Sequence, residues 1–197
     1  MPLPTLFRPI VLLLCLAGML VSARADVTDR LGVSGPLVFD SVEYELAWSA
    51  NPSPGYFKQE YVPAGQRVED YVAMVLVEAA QAVDVRGALS AQLTMLGQRK
   101  GSDPLVNYDV IRNEQTGEAL LDFIVSDRND RGEMVAEWNA YRYTPLPEGQ
   151  GVLLFAISHR AYGDDGVRAF LGNLRAMRPD RINKLARQAL PRVTLPR

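Results

Sequence analysis

The chain has 197 residues, a formal net charge of −2 and a hydrophobic fraction of 48%, which is enough apolar material for one domain with a buried core. Its only cysteine is Cys15, in the N-terminal leader, so the rest of the chain excludes a disulfide framework and thiolate chemistry. The lack of a basic overall balance also argues against nucleic-acid binding.

Residues 1–25 have the three parts of a secretory signal peptide. A positive start at Arg8 precedes an apolar run of 11 residues and small residues at positions 23 and 25. Leu14 stands before Cys15, where lipoprotein signals carry a small residue, so we expect cleavage after residue 25 rather than a lipid anchor. The apolar run is shorter than the roughly 20 residues of a membrane-spanning helix. Because arginine also outnumbers lysine 18 to 3, we predict a bacterial periplasmic protein with no transmembrane span after cleavage and a cysteine-free mature chain.

Alternating apolar residues predict strands at the start of the mature chain. We expect residues 26–36, which are polar and contain glycine, to form a flexible lead-in. Residues 37–48 alternate with period two, and a loop with two prolines at 49–55 separates them from a second alternating run at 56–62. The apolar residues expected on one face of the first strand are Val38, Val42, Tyr44, Leu46 and Trp48. Residues 71–78 are β-branched at their centre, which favours a buried strand over a helix.

A helix and four further strands follow. Asp84 is expected to cap a helix whose apolar residues recur at helical spacing up to residue 96. Strands are then predicted at 105–113, 118–125, 133–143 and 151–160, with Gly117 in the first turn between them. The last strand is apolar on both faces, so we place it at the centre of the sheet.

The chain ends in helical segments. Asp164 or Asp165 is expected to cap a helix with an apolar stripe, and Pro179 is expected to end or kink it before a second, weaker stripe. Residues 191–197 are expected to form a frayed tail.

This order of elements predicts one α+β domain over residues 37–190. Helices come in blocks rather than alternating with strands, so we expect a mostly antiparallel sheet of about six to seven strands, packed with one internal helix and C-terminal helices. The element order over residues 37–178 resembles the PsbP-like fold family of exported proteins. That resemblance implies an assembly or interaction role, and it transfers no binding residue to this chain.

His159 is the only histidine of the chain, and its neighbours raise the question of acid–base catalysis. Ser158, Asp164 and Asp165 would supply a nucleophile and an orienting carboxylate if they could reach its ring. Consecutive residues of a strand point to opposite faces, so Ser158 and His159 are not expected to pair. We expect a structural histidine, with a base that acts with a more distant carboxylate as the alternative.

Other motifs point to no cofactor. Residues 127–132 begin like a calcium-binding loop, but Arg131 and Trp138 occupy positions that need oxygen ligands. Glu43 and Glu45 are more typical of the solvent-exposed face of a sheet than of the two catalytic carboxylates of a glycosidase. The chain has no glycine-rich phosphate-binding motif. The sequence therefore predicts no catalytic residue, no metal site and no cofactor.

A run of basic residues in the C-terminal helices is the candidate binding surface. Residues 26–159 carry a net charge of −10, whereas residues 160–197 carry +6. The basic residues of the predicted stripe include Arg168, Arg175, Arg178, Arg181 and Lys184. A continuous cationic stripe would suit an anionic envelope component or an acidic protein surface. Alternatively, the same side chains would form salt bridges between solvated helices and the strands.

Aromatic residues near loops complete the predicted surface. We expect Tyr56, Tyr61, Tyr141 and Tyr143 to be exposed, since tyrosine and arginine often anchor interfaces, and Trp48 to lie in the core. The predicted function is that of a non-enzymatic interaction or accessory protein that recognises another cell-envelope component. The alternatives are an envelope hydrolase that uses His159 with a carboxylate, and a small apolar ligand held between sheet and helix.

Overall fold

The computed structural model describes residues 27–195, apart from the side chain of Glu148, and has an α+β architecture. A curled antiparallel sheet of eight strands lies between two helices. The elements are β1 (Leu37–Phe39), β2 (Val42–Ser53), β3 (Tyr56–Val62), β4 (Ala73–Gln81), α1 (Val85–Arg99), β5 (Asn107–Asn113), β6 (Glu118–Arg128), β7 (Met134–Pro145), β8 (Gly151–Tyr162) and α2 (Gly163–Arg187). The signal peptide predicted at 1–25 lies outside the described residues. Neither described helix combines the length and apolar character that crossing a membrane requires.

The strand β8 lies at the centre of the sheet, as its apolar character predicted. The strand order is β1-β2-β3-β4-β8-β7-β6-β5, and neighbouring strands are antiparallel. Strands β5 to β8 form the predicted meander, and Gly117 takes φ 70° in the turn between β5 and β6. Because β8 also pairs with β4, the two halves of the chain form one continuous sheet.

The sheet has one strand more than expected, because the segment predicted as a single strand at 37–48 is a hairpin. Phe39 of β1 pairs with Val42 of β2. Between them Asp40 and Ser41 have φ 50° and 65°, the left-handed values of a type I′ turn. This turn puts Val38 on the face opposite to Val42, so the expected common face of these two residues is wrong.

The strand β2 also continues through most of the predicted loop at 49–55. Two irregularities interrupt its pairing with β3, one at position 47 and one that accommodates Pro52. The first is a bulge that turns Trp48 to the face opposite to Leu46. Trp48 is therefore 39% exposed, and its predicted place in the core is wrong.

Each face of the sheet packs against one helix. The face named here the α2 face carries Phe155 and Ile157 in a core with residues of α2. The opposite face, the α1 face, carries Leu154 and Ala156 in a second core with Leu89 of α1. The two cores alternate along β8, which is why that strand is apolar on both sides.

Both ends of the described chain pack onto the α2 face. Leu31 and Val33, in the segment predicted as a flexible lead-in, are buried at 0% and 7% exposure. Residues 191–195 lie against this N-terminal segment, and the amide of Thr194 donates a hydrogen bond to the carbonyl of Leu31 at 2.7 Å. Val193 and Leu195, in the segment predicted as a tail, are partly buried and pack against the same core.

The two helices begin in different ways. Asp84 caps α1 as predicted, and its carboxylate accepts a hydrogen bond from the amide of Gly87 at 2.7 Å. Asp164 and Asp165 lie in the first turn of α2 instead of capping it, where their charge suits the positive end of the helix dipole. Pro179 lies inside α2, which continues as one helix to residue 187, so a helix end at this proline is excluded.

Candidate functional site

His159 and Ser158 point to opposite faces of β8, as predicted, and do not form a catalytic pair. The hydroxyl of Ser158 donates to the side-chain oxygen of Asn139 on the α1 face. The ring of His159 lies on the α2 face and stacks on Trp138, with ring centroids 6.0 Å apart and 21° between the planes. Within residues 27–195, no hydroxyl group hydrogen-bonds to this imidazole.

The surroundings of His159 favour its neutral form. Burial, followed by the nearby guanidinium of Arg181, lowers the pKa of His159 to about 4, although the carboxylate of Asp40 opposes this shift. A general base works best when its pKa lies near the working pH. The imidazole therefore has neither the partner nor the proton affinity that hydrolysis near neutral pH requires.

Several basic residues of α2 face the sheet rather than solvent. Arg178 pairs with Asp122 of β6. Arg181 and Lys184 both pair with Asp40 in the β1–β2 turn, at 2.5 and 2.6 Å. Charged side chains of the helix are thus used to dock it onto the sheet. The predicted cationic stripe is therefore wrong for Arg178 and Arg181, whereas the side chain of Lys184 is 42% exposed and also pairs with Asp180 of α2 at 2.6 Å.

The remaining members of the predicted stripe are exposed but separated. Arg168 is 77% exposed in its side chain and pairs with Asp165 one turn away, at 2.7 Å. Arg175 is exposed beside a shallow groove between α2 and β6. Surface ion pairs of this kind contribute little to stability, and the pairing of Arg178 and Arg181 with the sheet interrupts the predicted stripe.

Asp122 is the centre of the contact that docks α2. It is 6% exposed, and its carboxylate accepts hydrogen bonds from the indole of Trp138 at 2.5 Å and from Nε of Arg178 at 3.0 Å. A buried carboxylate needs such partners to offset its lost hydration. Because His159 stacks on the same indole, the histidine belongs to the structural contact between α2 and the sheet.

Tyr61 is a core residue, so its predicted exposure is wrong. It is 0% exposed, and its hydroxyl donates to the carbonyl of Val33 at 2.5 Å and accepts from the amide nitrogen of Gln59 at 2.5 Å. The side-chain oxygen of Gln59 in turn accepts from the amide of Leu31 at 3.1 Å. These bonds fasten the lead-in to β3.

Tyr56, by contrast, belongs to a pocket on the α1 face that is centred on Glu78. Its hydroxyl donates to Oε2 of Glu78 at 2.6 Å. Lys58 is the direct cross-strand neighbour of Glu78, and its ammonium lies 3.6 Å from Oε1 of Glu78 and 3.2 Å from Oε1 of Glu60. On the other side of Glu78, the pairing of β4 with β8 and of β8 with β7 places Tyr143 in the same row.

Small side chains of α1 leave space above this row. Gly87, Ala88 and Ala91 line the helix side of a cavity of about 590 Å³, a size that suits a small-molecule site. Most of the other lining residues are apolar, and the polar groups lie on the sheet side apart from Gln92 of α1. We call this cavity the Glu78 pocket; the residues used below are Tyr56, Lys58, Glu78, Ala91, Tyr141 and Tyr143.

Two tyrosine hydroxyls of the Glu78 pocket are available to a bound molecule. Tyr143 is 4% exposed, and Tyr141 lies beside it with ring centroids 6.2 Å apart and 66° between the planes. Among residues 27–195, no group hydrogen-bonds to either hydroxyl. Both side chains line the pocket next to Glu78, and the exposure predicted for Tyr143 is wrong.

The charges of the Glu78 pocket are unbalanced. Burial raises the pKa of Glu78, while the Tyr56 hydroxyl and then the Lys58 ammonium oppose that shift. Lys58 is one cation shared by two carboxylates, those of Glu60 and Glu78, and among the described residues no second cation pairs with either. With all three groups ionised, this cluster carries one net negative charge, with Glu60 just outside the pocket lining.

A second cleft, of about 530 Å³, lies near the β6–β7 turn, and its central charges are already paired. Arg160 pairs with Glu137. Arg99 pairs with Asp103 at 3.0 Å and with Asp127 at 3.1 Å. Because these groups neutralise one another, the cleft is a weaker candidate than the Glu78 pocket.

The turn that resembles the start of a calcium loop is closed by its own side chains. The side-chain oxygen of Asn129 accepts hydrogen bonds from the amides of Arg131 and Glu133, at 3.1 and 3.0 Å. In the part of the chain that the structure describes, no group of three histidine, cysteine or acidic residues is placed to hold a metal ion.

Sequence reasoning missed Glu78 because its signal is spread over three elements. Glu78 is the only charged residue of β4, and this isolated charge in an apolar strand was the one available sign. The strand pairing that brings Lys58 and Tyr143 beside it is not visible in the sequence. The small residues of α1 were counted only as part of an apolar stripe.

The fold is that of an α+β protein with one antiparallel sheet between two helices. A family model matches residues 31–190, which include every described strand and both helices, and the chain belongs to that family. Comparisons with curated proteins and with solved structures find no match.

Proposed function

We propose that the protein is an exported, non-enzymatic accessory protein of the bacterial periplasm that recognises another cell-envelope component through the Glu78 pocket. The observation that carries the proposal is the convergence of Glu78, Lys58 and Tyr143 on a concave and mostly apolar cavity. Cavities with a few convergent polar groups are the usual form of a binding site. The signal peptide predicted at 1–25 supports export, and the resemblance to the PsbP-like fold supports an interaction role.

Two features favour binding over hydrolysis. The only histidine is stacked on Trp138 and has a pKa of about 4, and the neighbouring Ser158 donates to Asn139 on the other face. Neither residue lines the Glu78 pocket. His159→Ala is therefore expected to leave recognition unchanged, whereas a hydrolase that uses this residue would lose turnover.

Ala91→Phe tests the proposed site directly. Ala91 is exposed on α1 and lines the pocket, so a phenyl ring there fills the cavity without displacing a core side chain. Ser90→Phe is the matched control, because it adds the same ring at the next exposed position of α1, outside the lining.

The measurement is affinity capture from an envelope extract, followed by mass spectrometry of the retained components. We expect the wild type and Ser90→Phe to retain the same component, and Ala91→Phe to retain at least about tenfold less, which corresponds to a modest loss of binding free energy. Equal retention by Ala91→Phe would remove the pocket from the proposal. Fractionation of cells that express the full chain tests export separately: the predicted product is periplasmic and shortened by residues 1–25.

A further inference from the structure

The Glu78 pocket also indicates which chemical class it recognises. We propose that it binds an organic ammonium ion with an apolar body, whose charge lies at Glu78 and whose apolar part lies under α1. This inference deepens the proposed function and rests on the pocket being the recognition site. It follows from three independent features of the lining: its charge, its aromatic rings and its apolar wall.

Charge gives the first argument. Lys58 serves both Glu60, at 3.2 Å, and Glu78, at 3.6 Å, so two carboxylates share one ammonium group. A ligand cation beside Glu78 restores the balance and leaves Lys58 with the nearer of its two partners. An anionic ligand would instead add a third negative charge to this partly buried region, which is unfavourable where the effective dielectric constant is low.

The tyrosines give the second argument. Tyr56, Tyr141 and Tyr143 all lie close enough to Glu78 for its charge to raise their pKa values, in addition to the larger effect of burial. Tyrosine rings attract cations through their electron-rich faces. The hydroxyl oxygens of Tyr141 and Tyr143 also accept hydrogen bonds from the N–H groups of an ammonium ion. An ammonium group bound here therefore gains a charge pair with the carboxylate as well as contacts with three tyrosines. A neutral alcohol gains no charge pair.

The wall of α1 gives the third argument. Ala88 and Ala91 line the helix side, and Ala80 and Leu154 line the sheet side next to Glu78. Met95, which is 42% exposed, lines the same cavity, and methionine adapts to apolar ligands of different shapes. A hydrocarbon body fits between these surfaces, and the hydrophobic effect favours its transfer from water.

Three probes of equal chain length separate charge from hydrophobicity: octylammonium, 1-octanol and octanoate. Titration calorimetry of each into the mature protein at pH 7 is expected to give octylammonium an affinity about tenfold higher than that of 1-octanol, from the carboxylate and the cation–π contacts. Octanoate is expected to bind more weakly than 1-octanol. Equal affinities for octylammonium and 1-octanol would overturn the assignment of a cation.

Two substitutions at the charged row are expected to act in opposite directions. Glu78→Gln keeps an acceptor for the Tyr56 hydroxyl and removes the charge, so octylammonium affinity falls about tenfold and 1-octanol affinity is unchanged. Glu43→Gln, which removes an exposed carboxylate of β2 outside the pocket lining, is the matched control with no effect. Lys58→Met removes the competing ammonium, so octylammonium is expected to bind more tightly.

The opposite signs distinguish recognition from a general loss of structure, because a misfolded protein would not gain affinity. A loss of octylammonium affinity in Lys58→Met would contradict the proposal, as would unchanged affinity in Glu78→Gln. If none of the three probes binds the wild type, the ligand class is overturned. The capture comparison between Ala91→Phe and Ser90→Phe would still decide the proposed function independently.

Discussion

The two faces of the sheet each pack against a single helix, yet they use charge in opposite ways. On the α2 face, Asp40 and Asp122 each receive a basic partner from α2, and these pairs join the long helix to the strands. On the α1 face, the shorter helix presents small side chains, and Glu78 shares its one cation with Glu60. On the first face the charges of α2 are paired with the sheet, whereas on the second face Glu78 shares its cation beside an open cavity.

The comparison indicates which charged residues serve structure and which are available for binding. Burying a carboxylate in an ion pair costs hydration free energy, which its partners must offset. Removing one partner therefore destabilises the fold. Arg178 and Arg181, which the sequence suggested as binding residues, are such partners. Glu78, which lies among tyrosines and beneath a helix of small residues, is the group that a ligand can complement.

The largest effect is expected from Asp122→Ala. This change leaves the buried indole N–H of Trp138 and the guanidinium of Arg178 without their acceptor, so we expect the free energy of unfolding to fall by about 3 kcal/mol. Chemical denaturation of the purified protein measures it. Asp109→Ala, at the exposed cross-strand neighbour of Asp122, is the control, with an expected change of about 0.5 kcal/mol or less. Equal losses in the two variants would contradict the docking role of Asp122.

A second comparison lies within α2 itself. Arg178→Glu places a negative charge against Asp122, and we expect it to lower the free energy of unfolding by about 2 kcal/mol. Arg175→Glu makes the same charge reversal at an exposed position and is expected to change stability by no more than about 0.5 kcal/mol. Thermal unfolding of both variants checks the difference. A stable Arg178→Glu protein would mean that this arginine does not help to dock α2.

The third effect is a pH dependence from His159. Its pKa is about 4 in the folded protein against an ordinary value of 6.5, so the unfolded chain takes up a proton first as the pH falls. The neutral imidazole makes its full contribution to the free energy of unfolding above pH 6.5. That contribution decreases toward pH 4, by at most about 1.4 kcal/mol per pH unit. Asp40, whose pKa is lowered chiefly by its hydrogen bond with Lys184, loses its own contribution at still lower pH.

His159→Gln separates the histidine from the carboxylates. Denaturation curves recorded between pH 7 and pH 4.5 are expected to show a shallower loss of stability in this variant than in the wild type. If the free energy of unfolding changes with pH equally in both proteins, the imidazole is protonated in the folded state and contacts Trp138 as a cation.

Local patterns predicted the parts of the fold that depend on periodicity. The apolar run of β8 indicated a central strand. Alternation along that strand also predicted that the hydroxyl of Ser158 and the imidazole of His159 lie on opposite faces. The hairpin at Asp40 and Ser41 was not predictable from alternation, because both residues take left-handed backbone values that are uncommon for non-glycine residues. The bulge before Trp48 likewise reverses a face that strict period two would keep.

The candidate site was less predictable than the fold, because it depends on contacts between distant elements. Tyr56 was chosen as a binding residue for its residue type alone, and its actual partner, Glu78, lies 22 positions away on the next strand. The solvent-facing stripe predicted for the basic residues of α2 fails for the complementary reason. Helical spacing indicates which side chains lie together, but not whether that side meets solvent or the acidic groups of a sheet.

The most direct test of recognition on the α1 face is a chemical-shift map of the ¹⁵N-labelled mature protein titrated with octylammonium. The account predicts concentration-dependent shifts at the amides of Ala88, Ala91, Tyr56 and Tyr143, with α2 unaffected. Shifts confined to residues 168–184 of α2, with these four amides unchanged, would contradict it.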